Sequence, residues 1–317
     1  MAGYLSSSFR LANNINASST SGWNAGAGFV SIGTGSSAAF SGTLDGDSKT
    51  VSGLTISRGG VNYAGLFGYI SGATIQNIGM AGVDITGGAY SGGLVGYSHA
   101  SNIPLSYSSG SVLGIGDNVG GLVGFNVNNA TITNSYSSAS VTGGARVGGL
   151  VGGNDSSSII TSSYATGSVN GGERVGGLVG YNTVNSSVIS SYSTGSVNVT
   201  SKLVGGLVGW NNNGSFILNS YSASAVTGSG DCVGGLAGEN YGSTITGSYA
   251  TGTVTGNGNE VGGLVGANSV EGLITGSYYS GSVTGRGDHV GGLVGYNRSS
   301  SIVNSYVAGT VTGGDYD

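Results

Sequence analysis

Charge is scarce in this chain. Its 317 residues hold 8 Lys and Arg and 13 Asp and Glu, 7% in all, against about a quarter in an ordinary soluble domain. A nucleic-acid groove needs several cations on one face, and these eight are scattered, so nucleic acid is excluded as a partner. Proline occurs once, and glycine, though abundant at 68 residues, lacks an every-third spacing. Collagen is therefore excluded. Cys232 has no second cysteine to pair with, so cohesion must come from packing and backbone pairing. No run of 18 apolar residues occurs, so no membrane span is expected. The opening Met1-Ala2-Gly3-Tyr4-Leu5-Ser6 lacks the charged and apolar regions of a secretory signal. The chain reads as a fragment of something larger. Disorder is also excluded, because hydrophobic residues reach 38% and 18 Tyr are available for burial.

What is present is repetition. Gly-Gly-Leu-Val-Gly, or a near variant, begins at Gly92, Gly120, Gly148, Gly176, Gly205, Gly234, Gly262 and Gly291, at a nearly constant interval. A degenerate copy occupies Ala64 to Gly68. Ser-Tyr recurs in phase at Tyr107, Tyr136, Tyr164, Tyr192, Tyr221, Tyr249, Tyr278 and Tyr306. Each Tyr is preceded four residues earlier by an apolar residue, usually Ile or Val, and followed five residues later by Val. These units are built from Gly, Ser, Thr, Val and Tyr, which favours short strands over helices. At about 28 residues each, they are also too short for propeller blades. They predict an all-β, single-stranded β-solenoid, right-handed, of about nine coils. Each coil is expected to have three strands and three corners, such as Ile132 to Tyr136, Ser140 to Thr142 and Val147 to Val151.

Corresponding residues in stacked coils lie about 4.8 Å apart, so like side chains form columns. One column is Asn126, Asn154, Asn182, Asn211, Asn240, Asn268 and Asn297, whose amides can bond the copies above and below. Ser and Tyr make two more, and Leu122, Leu150, Leu178 and their counterparts fill the interior. The fixed glycines imply corners at positive φ or backbones too close for a Cβ. Strict alternation through Val147-Gly148-Gly149-Leu150-Val151 would leave both faces apolar, so a bulge at the Gly pair is expected to turn Val147 and Leu150 inward together.

Residues 1–63 differ in containing Trp23, Phe9, Phe29 and Phe40, and read as an N-terminal cap with irregular first coils. The repeats occupy 64–317. The tail Val311 to Asp317 stops where another Val-Gly-Gly-Leu is due, which suggests an uncapped end open to end-to-end self-association.

The Gly-Leu-Val-Gly units resemble the GLUG motif repeats of large bacterial surface proteins, found in filamentous-haemagglutinin-like adhesins and in the non-catalytic part of immunoglobulin A peptidases. Ile15-Asn16, Gly22-Trp23-Asn24, Phe29 to Gly33 and Phe40 to Ile56 resemble segments that precede such repeats. The resemblance implies a secreted or cell-surface β-helix with an adhesive role, attached to a host-cell surface, a glycan or another bacterial surface component. It carries over no catalytic residue.

Chemical sites are few. Asp288-His289 lacks the orienting geometry of a nucleophile triad, and His99 and His289 stand too far apart in sequence for zinc. Asp45-Gly46-Asp47 reads as a solvated turn, since the calcium-binding solenoid nonapeptide is absent. Acids such as Asp117, Glu173, Glu239, Glu260 and Glu271 fall about one per repeat, which reads as solubility charge at corners. No cofactor or metal is expected, and no enzyme. Arg286-Gly287-Asp288 matches the integrin-read tripeptide, but Gly followed by Asp or Asn is this corner's turn habit. Binding is expected instead along a stripe of varying residues: Tyr97, Phe125, Tyr181, Trp210 and Tyr296 after Gly-Leu-Val-Gly, with Arg146, Arg174 and Lys202 at the corner before Gly-Gly-Leu. The competing readings are a polysaccharide-binding or -degrading β-helix of the lyase or phage tail-spike type and, on the column Thr142, Thr227, Thr255, Thr284 and Thr312, an ice-binding solenoid.

Overall fold

The computed structural model describes residues 3–313. The chain winds into a β-solenoid of about 10 turns, with every registered strand pair parallel and each strand bonded to its counterpart one coil away, as between Val151–Asp155 and Val179–Asn182. Three sheets line the coil: a long one of 28 strands, one of eight two-residue strands, Ser91–Gly92 and then Val-Gly in each later coil, and one of nine strands that follow each Leu.

Each coil is more finely broken than the three expected strands. The stretch from Ile132 splits into Thr131–Thr133 and Tyr136–Ser137, because Asn134 turns the chain at φ 50°. Val147 to Val151 splits into Val147–Gly148 and Val151–Asp155. Between these two, the amides of Leu150 and Val151 both donate to the carbonyl of Leu178, at 2.9 and 3.0 Å. Two donors on one acceptor advance the chain by a residue, as in a bulge. Val147, Leu150 and Val151 therefore all enter the core, fully buried.

The fixed place of Gly148 within its unit has a steric origin. A Cβ there would lie 2.7 Å from the Leu178 carbonyl oxygen and 2.8 Å from the Gly180 nitrogen. At the corner before Val-Gly-Gly, positive φ is carried by other residue types in six coils: Asn118, Arg146, Arg174, Leu203, Cys232 and Glu260, at φ 57–63°. The left-handed turn is thus made by residues with side chains, of which those of Asn118 and Leu203 are buried.

Polar columns hold the coils in register. Each ladder Asn donates Nδ2 to the Oδ1 of the next at 2.8–3.0 Å, from Asn126 to Asn297. Its second hydrogen goes to a carbonyl three or four residues on, such as Ser186. Ser135, Ser163, Ser191, Ser220, Ser248 and Ser277 accept through Oγ the backbone N–H of the preceding coil's Ser. The eight Ser-Tyr rings from Tyr107 to Tyr306 stack face to face, centroids 4.8–5.2 Å apart and planes within 8°.

Beyond the early coils, where register shifts fall within strands at Asp45/Lys49 and Ser108/Gly110, coil length varies at corners. Partners Gly171 and Val199 differ in number by 28, whereas Val175 and Val204 differ by 29, so one extra residue lies between Val199 and Val204. The shift from Asn212–Tyr241 (29) to Phe216–Thr244 (28) removes one residue between Tyr241 and Thr244.

The stack runs on into residues 1–63. Ser8–Arg10 pairs with Thr43–Ser52, which pairs with Thr74–Gly87. Partner spacing falls from 35 (Ser8–Thr43) to 31 (Thr43–Thr74) and then 28 (Thr74–Asn102). The surplus forms 3-10 turns at Ser18–Gly26 and Ser36–Ala38. Phe9, Phe40 and Phe67 pack in succession through these wider coils as tilted ring pairs, centroids 6.3 and 4.8 Å apart. At the other end, Ile302, Val307 and Val311 are partly exposed; Gly314 to Asp317 lie outside the described residues.

Candidate functional site

The outer face of the nine-stranded sheet carries two columns in register. The first is Tyr69, Tyr97, Phe125, Gly153, Tyr181, Trp210, Glu239, Ala267 and Tyr296. The second, two residues further on each strand, includes Val127, Asp155, Asn212, Tyr241, Ser269 and Arg298. Left-handed corners flank both columns, so the face is a groove along the rod axis.

In the first coils aromatic rings fill this groove. Tyr69 and Tyr97 stack at 4.5 Å, and Tyr97 meets Phe125 at 5.2 Å. Gly153 leaves a gap in the column, and the rings above and below lean into it. Phe125 and Tyr181 approach to 6.1 Å, and a Cβ on Gly153 would lie 2.8 Å from Tyr181 Cζ. The corner arginines close over the top: Arg146 lies 5.4 Å from the Tyr181 centroid and Arg174 lies 4.8 Å from that of Trp210. Asp117 and Glu173 hold these guanidinium groups at 3.9 and 3.1 Å.

The expected outward stripe is therefore brought together, but it is largely roofed. Phe125 and Tyr181 are each only 8% exposed, so their outward placement does not hold. Side chains at the corner fold back over rings that water would otherwise wet. Trp210, Tyr97 and Tyr296 are half-buried, and Lys202 is exposed on its corner. Thr183, whose place after the ladder Asn suggests an exposed corner, is 7% exposed in the same groove.

Burial raises the hydroxyl pKa of Tyr181 and pushes that of Tyr97 up to about 12. These groups ionise in the unfolded chain near 10 and resist ionising in the folded one, so their stabilisation is complete below pH 10, and that of Tyr97 is lost as pH rises through about 12. Unfolding midpoints should hold steady to pH 10 and then fall, in step with phenolate absorbance. Flat midpoints up to pH 12 would contradict the burial of these rings.

The groove opens where the aromatic column stops. Glu239 and Ala267 replace rings there, leaving a pocket of about 620 Å³. Glu239, Glu260, Glu271, Tyr241, Tyr296 and Arg298 line it. Ser269 Oγ donates to Glu239 at 2.7 Å, and Cys232 Sγ donates to Glu260 at 2.8 Å. The Cys232 thiol is held protonated by burial and by that carboxylate. Glu239, Glu260 and Glu271, read from the sequence as dispersed solubility charge, line this one pocket from different coils, with Glu271 exposed at its corner. The legible signal was the change from ring to Glu and Ala within one column.

The remaining sites follow local rules. Arg286 and Asp288 are exposed and Gly287 is half-buried. The Asp288 amide is held by Asn259 Oδ1 at 3.0 Å, as the Asn259 amide is by Asp231 at 2.8 Å, which is the turn habit of that corner. Asp47 pairs with Arg10 and Lys49, and Asp45 accepts from Asn77 and the Asp47 amide. His289 packs against Tyr296 at 5.0 Å. The Ser-Tyr rings are half-buried along most of the stack, but their faces cover one another, so they offer edges rather than stacking faces. Among the described residues no helix is long and apolar enough to cross a membrane.

The GLUG motif matches residues 116–142, 143–170, 171–199, 229–255 and 287–312. These units are GLUG repeats. Halomucin of Haloquadratum walsbyi is 45% identical over 82 residues, a quarter of this chain, and the chain spans about 1% of the length of that relative. The crystal structure of a protein from Bacteroides ovatus, described as a candidate immunoglobulin A1 protease, superposes with a TM-score of 0.50 at 16% identity. That match covers 95% of this chain and 77% of the other. At this identity the likeness is one of fold.

Proposed function

We propose that the chain is a rigid, non-catalytic attachment segment of a secreted or cell-surface adhesin, and that it binds a glycan or another surface component through the groove of the nine-stranded sheet. The observation that carries this reading is the division of labour within each coil. Asn, Ser, Leu and Val columns are committed to joining coils, whereas the groove and its corners vary from coil to coil and reach solvent at Trp210, Tyr241 and Tyr296. GLUG repeats and the stretch shared with halomucin support a repeat segment of a larger surface protein. Contacts repeated once per coil would each be weak and would add through multivalency.

The test is attachment of the purified chain to cells and to a glycan array. Tyr241→Ser with Tyr296→Ser should reduce attachment about tenfold while shifting the unfolding midpoint by only a few degrees. Tyr181 is unsuited to this test, because a packed ring would be lost with it. Undiminished attachment in the double variant would leave the segment as a spacer. A polysaccharide-acting β-helix is favoured by one observation, three carboxylates on one pocket. Release of reducing ends from a polysaccharide panel, lost in Glu239→Gln, would establish that second reading over the first.

A further inference from the structure

We infer that the pocket between Tyr241 and Tyr296 binds an amino sugar through its ammonium group. The inference rests on the groove reading above and specifies its ligand. The pocket interrupts an otherwise aromatic column. Where Gly153 interrupts the same column, neighbouring rings close the gap, but at Glu239 and Ala267 they do not, and about 620 Å³ stays open. The missing element is ring-sized, since Tyr97, Tyr181 and Tyr296 occupy equivalent positions.

Charge selects the ring. Glu239, Glu260 and Glu271 face the pocket against one cation, Arg298. Among the described residues the ion pairs are those of Arg10, Lys49, Arg146 and Arg174, so none of these three carboxylates has a partner within 4.0 Å. Glu239 and Glu260 each receive one fixed hydrogen bond, which orients them without neutralising them. An anionic sugar would be repelled. A protonated amine on a pyranose would meet carboxylates at charge-assisted hydrogen-bond distance, while the sugar body lies against Tyr296 and Tyr241, whose faces also attract a cation. The pocket is open to water, so the ammonium need not be fully desolvated.

Trp210 is the in-register neighbour of Glu239 and reports on the pocket once Trp23 is replaced by Phe. Glucosamine, N-acetylglucosamine and the lysine analogue Nα-acetyl-lysine methylamide are titrated into this variant by calorimetry and fluorescence. Glucosamine should bind saturably, and about tenfold more tightly than either other probe. Glu271→Gln should weaken it severalfold, and Ala267→Tyr, which restores a ring the column already accepts, should abolish binding with the fold intact by circular dichroism. Equal affinity for N-acetylglucosamine overturns the ammonium assignment while leaving groove binding in place. Tighter binding of the lysine analogue overturns the sugar assignment. No saturation by glucosamine in either measurement, or binding that survives Ala267→Tyr, removes the pocket as a site, whereas loss of attachment in the Tyr241 and Tyr296 double variant is judged independently.

Discussion

Leu178→Asp should lower the unfolding midpoint by about 10 °C or more, and Thr227→Asp, on the exposed side of its strand, should leave it almost unmoved. Leu178 is fully buried in the continuous core, between Leu150 and Leu207 of the adjoining coils. Truncating it costs about 2–5 kcal/mol on its own. The carboxylate adds desolvation with no cation near enough to pair, so a total of about 5 kcal/mol is expected. Because each coil touches mainly its neighbours, the damage should also split the transition, with the coils on either side melting separately. Equal midpoints for the two variants, measured by circular dichroism, would mean that inside and outside are reversed.

Asn182→Leu should cost about 2–4 kcal/mol, although it preserves volume and adds apolar surface. The amide lies in mid-ladder, taking a hydrogen bond from Asn154 at 2.9 Å and giving one to Asn211 at 2.9 Å. Removing it leaves the buried Oδ1 of Asn211 without a donor and a hydrogen of Asn154 without that acceptor. An orphaned buried acceptor costs about 1–3 kcal/mol. The top of the natural ladder shows the same deficit, since Asn126 Oδ1 and Ser98 Oγ are both buried and unpartnered where the column ends. A stability in urea within about 0.5 kcal/mol of the parent, the range of an ordinary surface substitution, would show that the ladder sets register without stabilising it.

The repeat period made the solenoid legible, because a column is only a residue type recurring at a fixed interval. Asn182, Tyr192 and Leu178 stand where that arithmetic puts them. The groove was less legible for a physical reason: its contacts run between coils at positions that do not repeat. Variation at Phe125 and Tyr181 suggested exposure, yet the rings are buried because Gly153 gives them room and Arg146 covers them. Thr183 was misplaced by the same assumption. Glycine was ambiguous in sequence between a turn and a close approach, and the carbonyls of Val151 and Leu178 crowding Gly148 decide for the latter. The pocket required knowing that Glu260 and Glu271 flank the Glu239–Ala267 gap from different coils.

The corners that gain a residue between Val199 and Val204, or lose one between Tyr241 and Thr244, have a hereditary consequence. The longer and the shorter coil have the same height, because the surplus bulges sideways and never displaces a strand. Reach is therefore counted in coils, not in amino acids. An in-frame duplication of one unit would lengthen the rod by a single step of about 4.8 Å, meeting its new neighbours with the same Asn, Ser and Tyr it already presents. A gene of this kind can drift in size by unequal crossing-over and still encode a folded product at every intermediate length.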